Sequence, residues 1–188
     1  MKARITLIVI GLILFSGAAI AQVPVVPVSI PLTLELGIGG GISLPNGTLR
    51  DHDDNGWNAG LQARFGGLLP LNIVGSVDRN SLPNKSSSYA DIAWMLGAGF
   101  EYQVPSIIVS PYLGVEGLAN LMSNSQEGSS SFARGGASVN LGVLFPIPAF
   151  GSFDASVRYQ LFNLTGKEEN EETISQVAAR LALLFKTL

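Results

Sequence analysis

The sequence contains no cysteine, which excludes disulfides, Cys-ligated metal centres and a lipid anchor on a cysteine. It holds one histidine, His52, so a general-base mechanism must use that residue or do without. Lysine is scarce: beyond Lys2 there are only Lys85, Lys167 and Lys186, and all three fall between the patterned stretches or at the end. A barrel with a water-facing exterior would normally carry more of them. Acidic residues outnumber basic ones, 14 to 11, and that balance argues against a nucleic-acid partner. No shift in composition splits the chain, so a single domain is expected.

Residues 1–21 have the layout of a secretory signal peptide: Lys2 and Arg4, the uncharged run Ile5 to Phe15, then small residues ending Ala19-Ile20-Ala21. Cleavage is expected before Gln22. Residues 22–31 hold Pro24, Pro27 and Pro31 among valines, which suits an extended periplasmic tail. The domain proper is expected over 32–188.

That domain opens on Leu32 to Leu44, where even positions are large aliphatics or Gly40 and odd positions are Thr, Glu, Gly or Ser. Period two with unlike faces predicts a strand. A mean globular strand has about five or six residues, whereas a tilted bilayer-spanning strand needs about nine to eleven, so the length predicts a membrane barrel if the pattern recurs. It recurs over Trp57–Gly67, Leu71–Arg79, Tyr89–Gln103, Ile107–Leu121, Phe132–Phe145, Ser152–Leu164 and Ile174–Phe185. Eight strands result. Long polar segments follow the odd-numbered strands and compact turns follow the even-numbered ones, as expected for extracellular loops and periplasmic turns, with both termini periplasmic. The predicted fold is all-β, an eight-stranded antiparallel up-and-down transmembrane barrel.

The apolar face of these strands carries no charge, and the polar face is rich in glycine, as the inside of a narrow barrel requires. Phe65, Phe100, Tyr102, Phe145, Phe153 and Phe185 fall on the apolar face near the periplasmic ends and are expected to form a lower aromatic girdle. Trp57 is the clearest upper member. On these features the chain resembles the small eight-stranded outer-membrane barrels typified by the OmpA transmembrane domain and OmpX. The resemblance implies an outer-membrane location, contact with outer-membrane lipid and lipopolysaccharide, delivery by the insertion machinery, a monomer, and no cofactor. Members of the group usually end on an aromatic residue, whereas here Phe185 is followed by Lys186-Thr187-Leu188.

Three constellations bear on chemistry. Asp51-His52-Asp53-Asp54-Asn55-Gly56 matches the first half of a calcium loop, making Asp51, Asp53 and Asn55 candidate cation ligands, but the position for the closing Glu is Gln62. His52, Asp78 and Ser81 match in type the rim residues of outer-membrane acyltransferases, although the proline-rich tail cannot supply the amphipathic helix that opens those enzymes. Inside the barrel, Glu35, Asp78, Asp91, Glu101, Glu116 and Asp154 share space with Arg64, Arg134, Arg158 and Arg180. Eight strands leave an interior just wide enough for side chains, so a salt-bridged plug is expected, with an ion pathway as the rival. Glu35 is expected to pair with Arg64, and Glu116 to reach between Arg158 and Arg180. The expected role is non-enzymatic, structural or in surface contact; the alternatives are a narrow porin-like channel and a rim-located lipid-modifying enzyme.

Overall fold

The computed structural model describes residues 32–67, 70–106, 108–126, 130–167 and 171–187. The expected signal peptide and proline-rich tail lie outside them. Eight strands run β1 (Thr33–Asn46), β2 (Gly56–Gly66), β3 (Leu71–Pro83), β4 (Ala90–Gln103), β5 (Ser110–Asn124), β6 (Phe132–Ile147), β7 (Gly151–Thr165) and β8 (Ser175–Lys186). Each pairs antiparallel with its neighbour in sequence, and β8 closes on β1. Following paired residues round the wall from Glu35 through Arg64, Val74, Gly99, Glu116, Ser138, Gln160 and Gln176 returns to β1 at Pro45, ten residues further along. That stagger tilts the strands and sets which side chains meet across the lumen.

Side-chain parity follows the sequence pattern. Leu36, Ile38, Leu61, Leu96, Leu113, Leu141 and Leu181 all point outward and stand exposed, Leu96 by 60 % and Leu141 by 63 %. Their polar neighbours in sequence turn inward and are buried. A soluble domain of this size would not leave an apolar belt bare round its whole circumference; a bilayer-spanning barrel must, because lipid is its solvent. Phe65, Phe100, Tyr102, Phe145, Phe153 and Phe185 lie on this outer face toward the end with the compact turns, where Phe145 packs on Phe153 at 6.2 Å and Phe150 on Phe185 at 5.0 Å between ring centroids.

The structure corrects three boundaries. The β1–β2 connection contains a short helix, α1 (Thr48–His52), within a segment expected to be turns alone. β5 begins at Ser110, so Pro111 sits at the start of the strand, where its missing N–H costs little. The third correction matters most: β3 continues four residues past Arg79, to Pro83. Asn80-Ser81 has the composition of a loop, but in a barrel with a polar interior Asn80 is simply the next inward residue. Arg79, on the same face as Ile73 and Val77, puts a charge on the outer face, which was expected to carry none.

Candidate functional site

Inward side chains stack in layers from the turn end to the loop end. At the turn end Arg64 is the hub. Its guanidinium lies 2.8 Å from Glu101, 3.4 Å from Glu35 and 3.7 Å from Asp154, and 5.2 Å above the Tyr112 ring. Tyr112 donates its hydroxyl hydrogen to Asp154 at 2.9 Å, Gln62 donates to the same carboxylate at 3.2 Å, and Asn72 donates to Glu101 and Gln103. Buried carboxylates are costly unless they are paired and hydrogen-bonded, and these have both kinds of partner.

The next layer is built on Asp78. Arg158 donates to it at 3.0 Å and Arg180 at 2.6 Å. Arg158 also donates to the side-chain oxygen of Gln62, whose amide nitrogen serves Asp154, so one glutamine ties the two layers together. Arg180 donates its second contact to the Gly60 carbonyl at 3.0 Å. The expectation that Glu116 bridges Arg158 and Arg180 is corrected: Glu116 accepts from Ser76 at 2.7 Å and from Asn140. With β3 ended at Arg79, Asp78 would belong to the rim; four more residues of strand lower it to the level of the two arginines. The expected pairing of Glu35 with Arg64 is present.

Small residues make this packing possible. A Cβ on Gly142 would lie 2.6 Å from the Tyr112 ring, one on Gly97 would strike Ser76 and Glu116, and one on Gly60 would strike the Asp78 carboxylate. The middle of the interior is also closely packed. Between the layers, one cavity by Arg64, Glu101, Tyr112 and Glu116 and another by Asp78, Asn80 and Arg180 measure about 10 Å³ each, the size of one water at most, while the turn-end mouth, lined by Glu35, Arg64, Asn72 and Gln103, holds a cavity of about 260 Å³.

Toward the loop end the chemistry changes. Asn80 accepts from Ser43 and from Gln176, both at 2.8 Å, and Gln176 donates to Gln160 at 2.6 Å, forming an uncharged amide layer. Against it Ala93, Met95, Leu118 and Phe162 form a buried apolar cluster, flanked by Met122 and Ile174. Phe162 is the floor of an open-mouthed cavity of about 380 Å³, walled by Leu49, Leu82, Ile92 and Phe132. Sequence reasoning missed this cap because single apolar residues at inward positions look like lapses in an alternating pattern.

The remaining candidates lie at the loop end. Asp91 and Arg134 do not join the ionic layers: Asp91 is half-buried near Asp53, and Arg134 pairs with Glu171 at 3.1 Å and donates to the Gly166 carbonyl. The calcium-loop residues do not converge. Asp51 is exposed on α1, Asn55 is exposed beyond it, and Asp53 is buried, joined to Asn84 by a β-bridge. Among the described residues no three His, Cys, Asp or Glu side chains gather as a metal site would require. Burial raises the Asp53 carboxyl to about 7, and the adjacent Asp91 carboxylate adds to the effect. His52, Asp78 and Ser81 are likewise kept apart: His52 is exposed on α1, Asp78 is buried against two arginines, and Ser81 shares the outward parity of Arg79.

No family model and no curated protein matches the sequence. Solved structures do match the fold. Neisserial surface protein A is 20 % identical, with a TM-score of 0.63 over 82 % of this chain and 96 % of that one. The N-terminal β-barrel domain of Pseudomonas aeruginosa OprF is 10 % identical, with a TM-score of 0.56 over 81 % and 97 %. Yersinia pestis Ail, the attachment invasion locus protein, in complex with the heparin analogue sucrose octasulfate, is 15 % identical, with a TM-score of 0.50 over 85 % and 99 %.

Proposed function

We propose that this chain, which has the fold of the small eight-stranded outer-membrane barrels, is a closed, non-enzymatic outer-membrane protein that serves envelope structure and surface contact. The observation that carries this reading is the filled middle of the lumen, where two ionic layers, an amide layer and an apolar cluster enclose cavities of about one water each, while larger cavities lie at the ends, about 260 Å³ beside Arg64 and about 380 Å³ over Phe162. Such a stack opposes the channel alternative: an ion would have to displace arginines already held by buried carboxylates. The bare apolar belt and its turn-end aromatics support residence in a bilayer among lipid and lipopolysaccharide. Outer-membrane location and periplasmic termini are read from the leader expected over residues 1–21 and from connections that are longer at one end than at the other, the equal β3–β4 and β4–β5 connections excepted. The monomer and delivery by the insertion machinery belong to the same reading. The contact role falls to the loop end, where α1, the other loops and the 380 Å³ mouth are presented together.

Planar-bilayer recording of the purified protein tests the closed lumen. No steady unitary conductance is expected. Regular openings that vanish in Arg158→Met or Arg180→Met would overturn the closed reading in favour of a narrow channel.

A further inference from the structure

Arg79 is a cation on a lipid-facing surface. It has the outward parity of Val77 and Ile73 on β3, and its cross-strand partners are Ala59 and Trp94. Its guanidinium carbon lies 5.4 Å from the centroid of the Trp57 ring and 5.7 Å from that of Trp94, so an indole stands on each side. The two indoles are themselves 45 % and 49 % exposed. None of the ion pairs among the described residues includes Arg79, and its Nε is shielded from solvent with no hydrogen-bond partner. The buried arginines of the lumen, Arg64, Arg158 and Arg180, each have at least one carboxylate.

Height along the barrel says what surrounds this group. Trp94 and Tyr102 lie eight residues apart on β4, which is about 20 Å along the axis for a rise of about 3.3 Å per residue and a tilt of about 40°. An outer-membrane apolar band is about 25 Å tall. With Tyr102 in the turn-end girdle, Trp57, Trp94 and Arg79 stand at the opposite interface, where lipid head groups begin. At mid-bilayer an outward arginine would cost about 2 to 4 kcal/mol, but near the interface the cost falls to about 0 to 1.

We propose that Arg79, held between Trp57 and Trp94, binds the phosphate of a lipid head group in the loop-end leaflet. A guanidinium is planar, weakly hydrated and suited to two parallel hydrogen bonds with a phosphate. With an indole within cation–π distance on each flank, the N–H edge is the side left for a ligand. The indoles fix that edge before the lipid arrives, so less side-chain entropy is lost on binding. The inference names a site for the lipid contact proposed above and rests on the barrel residing in a bilayer.

Trp57 and Trp94 are the only tryptophans in the chain, so tryptophan emission reads this site alone. The protein is refolded into dodecyl maltoside, which brings no phosphate, and titrated with diphosphoryl lipid A, with the same lipid after dephosphorylation, and with inorganic phosphate. A saturable change is expected with the phosphorylated lipid alone. Arg79→Gln should weaken it at least about tenfold, and Arg79→Lys, which keeps the charge and loses the planar fork, by less. Equal titrations of wild type and Arg79→Gln overturn the proposal, and so does an equal response to the dephosphorylated lipid. Saturation by inorganic phosphate would make this a free-anion site and overturn the lipid assignment. The heat-shifted gel band checks that each variant is folded; if Arg79→Gln lacks it, the lysine variant decides, and a wild-type titration there overturns the two-point contact. Micelles neither impose an orientation nor report conductance, so failure here leaves the closed lumen standing, and a conducting lumen leaves this site standing.

Discussion

Between the turn end and Asp78, the lumen holds Arg64, Arg158 and Arg180 with Glu35, Asp78, Glu101, Glu116 and Asp154. Between Asn80 and the mouth, the same eight strands present amides, then an apolar cluster, then a cavity of about 380 Å³. The inward parity is the same throughout; the side chains that fill the space are not. In the closed half a charge can be kept only beside its partner, and the glycines at 60, 97 and 142 leave room for that partner. At the mouth, Phe162 and its apolar neighbours share the floor of the cavity with Asn80 of the amide layer.

The largest effect should come from breaking the ionic half. Asp78→Asn leaves Arg158 and Arg180 buried without their shared carboxylate, at about 3 to 5 kcal/mol by the measure of broken buried pairs. Urea unfolding in lipid vesicles should show it, with much of the loss restored by adding Arg180→Met. Glu116→Gln should cost less, about 1 to 3 kcal/mol, because an amide can still accept from Ser76 or Asn140. If the two single variants unfold at equal midpoints, the assignment of Asp78 as the bridge is wrong.

A smaller effect is expected at the mouth. Phe162→Ala removes a side chain that is 1 % exposed and packed on Met95 and Leu118. Its cost should lie near the low end for a buried phenylalanine, about 3 kcal/mol, because the neighbouring cavity already lets the site relax. The same variant should leave planar bilayers silent, since the ionic layers below remain. Steady openings in Phe162→Ala would instead locate the seal at the apolar cap.

The smallest effect concerns the rim and pH. Asp53 titrates at about 7 in the folded protein against 3.8 for the ordinary side chain. Between those values the native state binds the extra proton, so local stability falls as pH rises through this window. The groups facing Asp53 are Asp91, His52 and Asn84, and below pH 7 the proton can be shared with Asp91. Amide exchange in α1 should therefore be slower at pH 5.5 than at pH 8 in wild type. In Asp53→Asn the two rates should agree once base catalysis of exchange is allowed for; an undiminished difference would assign the pH effect to His52.

By itself the sequence determined the number of strands and the face each side chain takes. Parity is local: Leu96 and Gly97 must point to opposite sides whatever the rest of the chain does. It also pointed most of the charged residues inward, Asp91 and Arg134 lying at the loop end instead, and it expected the pairing of Glu35 with Arg64 on adjacent strands. What it could not reveal is height. Whether Asp78 or Glu116 meets Arg158 depends on where β3 ends and on the ten-residue stagger accumulated round the wall, and that stagger is a property of closure rather than of any one strand. Trp57, Arg79 and Trp94 come from three strands, and in sequence they are a strand's first residue, a loop boundary and one aromatic in an alternating run. Only the folded register sets them side by side, because cross-strand neighbours are fixed by hydrogen-bond pairing between segments and not by the pattern within one.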